Sequence, residues 1–600
     1  MALPPELIAD LLKTQPKTIG QLSLWKRRVA KEFAVGIISN QQLLNGIRSM
    51  PERSGLASLE RLLRVREVRT LSGVAIITVL VKPYACPGQC VYCPTEVRMP
   101  KSYIETEPAA QRALRLNFDP YEQMVRRLAV LEGNGHPTDK IELIVKGGTW
   151  SAYPKAYQRW FLKECYRAAN EYHNANMQID ANTTNSLYSN TFAYSHYASQ
   201  QYSDVEQLNQ GDRALVETYN KKGRWATGES TEEEVLSEQH LNETASHRII
   251  GLTLETRPDW INEAEVRQLR VLGCTRVELG AQAIDDDILT LIKRGHDVAS
   301  IAHAIALLRE AGFKVDLHMM PQLPGATAQK DIEMFRLLFD DPRFRPDMVK
   351  IYPCVVTPSA ELYQWWKSGK YTPYSDNDLI ETLITIKSQI IPRYCRISRL
   401  IRDIPSQHIA AGNAVTNLRE TVQKIMRERG LTCQCLRCRE VGHHKGMGYR
   451  VQGIDRTEPF VEEYEASDGK EYFLSFESED REVVYAFCRL RIPTNSEQEP
   501  VSKKQLYELL PEIRDCAFIR ELHTYGQLVR LESGIINHES EDGHVQHIGL
   551  GRQLMKKAED IVKEHGILKV TVIAGVGVRE YYRKLGYELQ GTYMVKQIMD

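Results

Sequence analysis

Hydrophobic and polar positions change rhythm three times along the chain. Residues 1–72 read as helical, and Leu62, Leu63 and Val65 interleaved with Arg61, Arg64 and Arg69 make one amphipathic stripe. From 73 to 400, short β-rich runs alternate with helical stretches. The runs are Val74–Val81, Ile141–Val145, Ile249–Glu255, Arg276–Leu279, Val315–Met319 and Met348–Ile351; Asp259–Leu272 and Ala299–Ala311 are two of the helices. That alternation predicts a parallel sheet, open or barrel-shaped, with its chemistry at the carboxyl ends of the strands. Four motifs obey the rule. Cys86, Gly147-Gly148-Thr149-Trp150, Thr256-Arg257-Pro258 and Pro321–Gly325 each follow a run, which favours a partial (β/α) barrel. The polar stretch 174–233 interrupts it and is expected to be an insertion. Residues 401–455 form a linker. From 456 to 600 a second α+β pattern follows, with runs at Glu471–Phe476, Val483–Arg491, Gln527–Leu531 and Lys569–Ala574 and a helix from Gly549 to Glu564.

Length supports the division, since 600 residues exceed one packed core and suggest about three or four domains. A net charge of −1 excludes a globally basic nucleic-acid binder but not a local patch. The candidate patch is Lys26, Arg27, Arg28 and Lys31, readable as a solvated helix face or as a phosphate-contacting surface. No apolar run approaches the ~20 residues of a membrane helix, and Met1–Asp10 lacks a secretory pattern. The expectation is a soluble, cytoplasmic protein without a membrane partner.

Six of the twelve cysteines fall in two tight triads. Cys86, Cys90 and Cys93 have the spacing Cys-x3-Cys-x2-Cys on a loop after the first run. Three thiolates leave one position open, as a 4Fe–4S cluster that binds S-adenosylmethionine requires. The alternative is a zinc knuckle lacking a local ligand. Cys433, Cys435 and Cys438 form the second triad, with His443 and His444 close behind. Structural zinc, with His443 as the fourth ligand, is expected there; a second iron–sulfur cluster or a distant fourth ligand are the alternatives. The glycines of Gln546-His547-Ile548-Gly549-Leu550-Gly551-Arg552 open a helix and could admit a pyrophosphate to its amino end.

Taken together, the motifs resemble the catalytic-subunit family of the Elongator complex, in its prokaryotic stand-alone form. The resemblance spans nearly the whole chain. Besides the first triad it rests on Leu254–Asp259, Glu278–Gln282, Arg294-Gly295-His296, His318–Pro321, Arg402–Pro405, Arg439–Gly442, Arg520–His523 and Tyr581–Lys584. It implies a radical S-adenosylmethionine half-barrel, a small cysteine/zinc linker and an acetyltransferase-like domain. It also implies a tRNA anticodon stem-loop as partner and no obligate Elongator subunits; self-association is left open. The second triad sets this chain apart from eukaryotic members, and the insertion is longer than the family leads one to expect.

Residue by residue, the resemblance implies the cluster on Cys86, Cys90 and Cys93, with Gly147, Gly148 and Glu255 at the S-adenosylmethionine site. Acetyl-CoA would meet Lys140, Glu521, Leu522, His523, Thr524, Gln546, Gly549, Leu550, Gly551, Arg552 and Tyr582, with Tyr581, Tyr582 and Lys140 as catalytic candidates. A core aromatic is the competing reading of Tyr582. The implied reaction removes hydrogen from the methyl group of acetyl-CoA, joins that carbon to carbon-5 of the wobble uridine (position 34), and hydrolyses the thioester to leave a carboxymethyl group. The competing activity is a protein lysine acetyltransferase with a structural cluster.

Overall fold

The computed structural model describes residues 3–48 apart from 34 and 37, 57–65, 70, 72–175 apart from 97, 225–444 apart from 416, 457–494, 501–525 and 549–598. Four helices, α1 (Pro5–Thr14), α2 (Ile19–Glu32), α3 (Asn40–Arg48) and α4 (Ala57–Leu63), pack a small core of their own around Leu11, Trp25, Leu43 and Leu63.

Seven parallel strands then form one sheet in sequence order: β1 (Ala75–Leu80), β2 (Lys140–Lys146), β3 (Arg248–Thr256), β4 (Arg276–Gln282), β5 (Lys314–Met319), β6 (Met348–Ile351) and β7 (Arg396–Arg399). All six expected runs are strands within a residue or three at either end; β7 was not expected. Helices cover the outer face, and the inner face lines a cavity. On β2 the strict alternation puts Ile141, Leu143 and Val145 in the outer core and Glu142, Ile144 and Lys146 on the lumen. The helix expected at Asp259–Leu272 begins later. A 3-10 turn at Pro258–Trp260 precedes the helix Glu263–Val271, which Asn262 caps through Glu265 N–H.

The insertion is shorter than 174–233. The preceding helix, Lys155–Ala175, runs into that range, and from Trp225 the chain is back on the barrel with Trp225 edge-on to Phe118. Thr231 and Glu234 then make a capping box for the helix Glu232–Asn242. The remainder of the range lies outside the described residues.

The second sheet has the order β13-β14-β12-β11-β10-β9-β8, from β8 (Glu458–Glu465), β9 (Gly469–Glu477), β10 (Val484–Pro493), β11 (Ala517–Thr524), β12 (Lys569–Val572), β13 (Glu588–Gln590) and β14 (Tyr593–Gln597). Only β11 and β12 run parallel. The helix Leu550–Glu564 covers it with Leu554, Ala558, Ile561 and Val562. The strand expected at Gln527–Leu531 lies outside the described residues.

The two sheets meet through buried charge and through backbone. Asp347, just before β6, receives Arg520 of β11 in two hydrogen bonds (2.9 and 2.5 Å) and lies 3.5 Å from Arg489 of β10; all three are at most 1% exposed. Nearby, the turn Val576–Val578 lies directly against β3. A Cβ on Gly575 would fall on the Ile250 carbonyl, and one on Gly577 would come within 2.6 Å of Arg248 Cβ.

Candidate functional site

The loop after β1 carries Cys86, Cys90 and Cys93, half-buried at the carboxyl end of the sheet. The Arg294 guanidinium donates to Cys90 Sγ at 3.4 Å and is anchored on the Gly280 carbonyl at the end of β4. Burial works against a Cys90 thiolate, yet Arg294 draws its thiol down; burial instead pushes Cys93 up to about 11. Arg257, after β3, is held by Asp259 at 2.8 and 2.9 Å while its Nη1, lying over Gly88 of the cysteine loop, has no partner. A buried guanidinium with one nitrogen left unpartnered beside three cysteines suits a thiolate-held, anionic cluster.

The loop after β2 turns through Gly147 (φ +139°) and Gly148 (φ +84°), and a Cβ on Gly147 would clash with Val81. Only glycine admits that path, and Gly148 lines the cavity with Cys86, where its backbone could meet a zwitterionic ligand. Glu255, the penultimate residue of β3, accepts from Tyr103 Oη at 3.1 Å and pairs with Lys146 at 3.2 Å. Lys146 and Lys350 also pair with Glu278, which His318 approaches at 3.2 Å. Glu255 was expected here; the charges around it were not assigned a role. Their signal was available: Glu278, Asp316, His318 and Lys350 interrupt parallel strands that should read as continuous apolar runs.

The second triad is a different kind of site. The sulfurs of Cys433, Cys435 and Cys438 all lie within 4.8 Å of one another, and among the described residues only this group has that spacing. Tetrahedral zinc with bonds of about 2.3 Å sets its sulfurs about 3.8 Å apart, so one ion fits. Lys387 Nζ (3.9 Å) and Gln423 Nε2 (3.7 Å) face Cys438. His443 does not join them, contrary to expectation. The 3-10 turn Val441–His443 carries its ring to Glu440, 3.6 Å away, and His444 Nε2 lies against the Cys438 carbonyl.

On the second sheet, the end of β11 and the start of the helix Leu550–Glu564 come together. Gly549 caps the helix at φ +80°, Arg552 is exposed in its first turn, and Gly551 packs against Thr524, Leu522 and the Tyr581 hydroxyl. Leu550 is a core residue. So is Tyr582, 6% exposed and edge-on to Tyr581 and Tyr587, which makes Tyr581 the better-placed of the pair. Glu521 is tied to Lys314 of β5 (3.2 Å) and Arg489 (2.9 Å); against the effect of burial, these cations hold it down at about 2. His523 is lowered to about 4 by burial. Lys140 begins β2 opposite Arg248, the residue Gly577 presses on, and burial lowers its ammonium to about 8. Gln546 lies outside the described residues.

A cavity of about 740 Å³ runs through the half-barrel, lined at one end by Cys86, Cys90, Cys93 and Gly148 and at the other by Glu142, Arg276, Arg396 and Glu440. Residues 213–338 match the Radical SAM superfamily and residues 346–428 the Radical_SAM C-terminal domain. The chain is 40% identical over 548 residues to a tRNA uridine(34) acetyltransferase of Methanocaldococcus infernus, covering 90% of this chain and 88% of that one. It is 33% identical over 589 residues to Elongator complex protein 3 of Homo sapiens, covering 96% and 92%. The chain belongs to the Elongator complex protein 3 family. The solved archaeal Elp3 of Methanocaldococcus infernus, lacking its first 46 residues, superposes with a TM-score of 0.66 at 37% identity over 88% of this chain and all of that one. Within the family, the prokaryotic relatives (39–41%) stand nearer than the eukaryotic ones (32–35%), as the second triad led one to expect.

In the N-terminal helices, Arg27 and Lys31 are exposed. Arg28 is paired with Asp10 (2.6 Å) and Glu32 (3.0 Å), and Lys26 is hydrogen-bonded to Asn40, so two of the four basic residues are engaged within the bundle. Among the described residues no helix is long and apolar enough to cross a membrane.

Proposed function

We propose that this chain attaches a carboxymethyl group, derived from acetyl-CoA, to carbon-5 of the wobble uridine of tRNA in the cytoplasm. The observation that carries this reading is one cavity joining the cysteine loop to the side of the half-barrel where the acetyltransferase sheet docks. Cys86, Cys90 and Cys93 would hold a 4Fe–4S cluster; with S-adenosylmethionine bound, that pair supplies a hydrogen-abstracting radical. Arg294 and Arg257 offset the charge of the thiolates, and the Gly147–Gly148 backbone seats the amino-acid end of S-adenosylmethionine. Tyr103 and Lys146 fix the Glu255 carboxylate at the cavity wall. The helix start at Gly549–Gly551, with Arg552 beside it, receives the CoA phosphates. Tyr581 stands at that helix start, its hydroxyl against Gly551. The Cys433, Cys435 and Cys438 thiolates hold a structural zinc, completed by a ligand other than His443.

A protein lysine acetyltransferase with a structural cluster would still use Arg257 and Arg294 beside the cysteines, but it gives no role to the Gly147–Gly148 turn.

The test is anaerobic. Reconstituted protein is given reductant, S-adenosylmethionine, acetyl-CoA and tRNA, and the digested tRNA is read by nucleoside mass spectrometry. Carboxymethyluridine that depends on both small molecules is expected, and Cys90→Ser should abolish it with the iron chromophore. Acetylated lysine without modified uridine would overturn the reading.

A further inference from the structure

The lumen face of β2 is a rail from one domain to the other. Lys140, Glu142, Ile144 and Lys146 share it, and six rises of about 3.3 Å put its ends about 20 Å apart. At the carboxyl end the next residues are Gly147 and Gly148, beside Cys86. At the amino end Lys140 pairs with Arg248 of β3, against which Gly577 of the acetyltransferase domain is pressed. Arg396, also at that end, pairs with Glu440, which accepts from Tyr525 Oη at 3.4 Å, directly after β11. His523 lies close enough to Glu142 and Arg396 for both to act on its charge. The lower mouth of the cavity therefore opens beside the strand that carries Glu521–Thr524.

The cavity is not packed shut. At its amino end Ile76 of β1, opposite Glu142, is 43% exposed although it sits inside a strand, because it faces this space rather than a packed neighbour. Asp316 of β5 lines the passage with one carboxylate oxygen bonded to Ser398 Oγ (3.2 Å) and the other without a partner. A half-barrel whose interior has no task would be filled by branched apolar side chains. This one keeps a polar-lined cavity that runs from the cysteine loop to Arg396 and Glu440, beside the end of β11.

Building on the function proposed above, we infer that the half-barrel interior is a through passage for the pantetheine arm of acetyl-CoA. The nucleotide stays on the acetyltransferase sheet, the arm lies along β2, and the acetyl group arrives at the cysteine-loop end. The two amides of the arm meet hydrogen-bonding groups along the wall, with the unpartnered Asp316 oxygen at mid-passage.

Ser398 of β7 lines this passage, away from both ends, and offers a graded plug. The series Ser398→Ala, Ser398→Leu and Ser398→Trp would be assayed in three ways on the intact chain. These are deoxyadenosine release from S-adenosylmethionine alone, acetyl-CoA binding by calorimetry, and transfer of deuterium from methyl-deuterated acetyl-CoA into deoxyadenosine. Release is expected to stay at wild-type level and acetyl-CoA, held by its nucleotide half, to stay bound though more weakly, while deuterium transfer at saturating acetyl-CoA falls with side-chain size, by about 100-fold or more for tryptophan, as for any reacting group held short of its position. Full transfer in Ser398→Trp, with release and binding intact, would overturn the passage. If Ser398→Trp fails to fold, Ser398→Leu carries the same comparison. Wild-type protein that makes no carboxymethyluridine would instead remove the functional reading on which the passage rests.

Discussion

Asp347→Asn removes one negative charge and almost no volume from the seam between the two sheets. The wild-type carboxylate is fully buried and receives two hydrogen bonds from Arg520 and one from the Val315 amide at 2.9 Å, with Arg489 Nη1 3.5 Å away. Although burial alone would raise it, Arg520 and Arg489 hold this carboxyl far below its ordinary range. The asparagine leaves those guanidiniums, with Arg309 nearby, facing only Glu471 and Glu521. Breaking a buried, hydrogen-bonded pair of this kind costs about 3–5 kcal/mol. Urea titration would measure it with two probes. All seven tryptophans precede residue 400, so fluorescence follows the helical bundle and half-barrel, while far-ultraviolet circular dichroism follows both sheets. The wild-type transitions should coincide, and the variant should lose circular dichroism before fluorescence. The sign with pH is fixed: a depressed carboxyl contributes its stability above about pH 4, where the unfolded group is ionised, and loses it as pH falls. The gap between wild type and variant should therefore be full at pH 7, begin to narrow only below about pH 4, and close only as the pH falls through the native carboxyl's far lower range. A loss under about 1 kcal/mol, the scale of an exposed pair such as Lys424–Glu428, would refute the reasoning.

Two further outcomes are expected. The double change Arg27→Ala with Lys31→Ala should weaken tRNA binding and lower the slope of log affinity against log salt by about 1.4–1.8, as for two lost phosphate contacts; Arg28→Ala should instead affect mainly the stability of the bundle. Cys435→Ser should remove zinc from the purified chain by elemental analysis while leaving iron content unchanged.

Much of this architecture is legible in the residues. The six runs are short but β-rich and set between helical stretches, so their strands appear within a residue or three. Cysteine spacing separates the two triads because thiolate chemistry is local. Three things were not legible, each because it depends on distance in space. β11 and β7 carry arginines whose partners, Asp347 and Glu440, come from remote segments, so charge disguises a buried strand. His443 stands five residues after Cys438, near enough to suggest a ligand, but a 3-10 turn sends it to Glu440. Tyr581 and Tyr582 are neighbours in an identical pair, and only packing decides that Tyr582 faces the core and Tyr581 the helix start. The Lys146–Glu278–Lys350 ladder was written in plain view as charges inside parallel strands.

The absence of side chains at Gly575 and Gly577 has a mechanical meaning. Where the 576–578 turn crosses β3, two main chains touch with room for nothing larger than hydrogen. Contacts between side chains can slide by exchanging rotamers, whereas main chain pressed on main chain has no such slack. The two sheets are in effect one casting. Whatever rearranges during a catalytic cycle must do so in the loops and in the bound molecules, while the frame between the two chemistries keeps its length like a ruler.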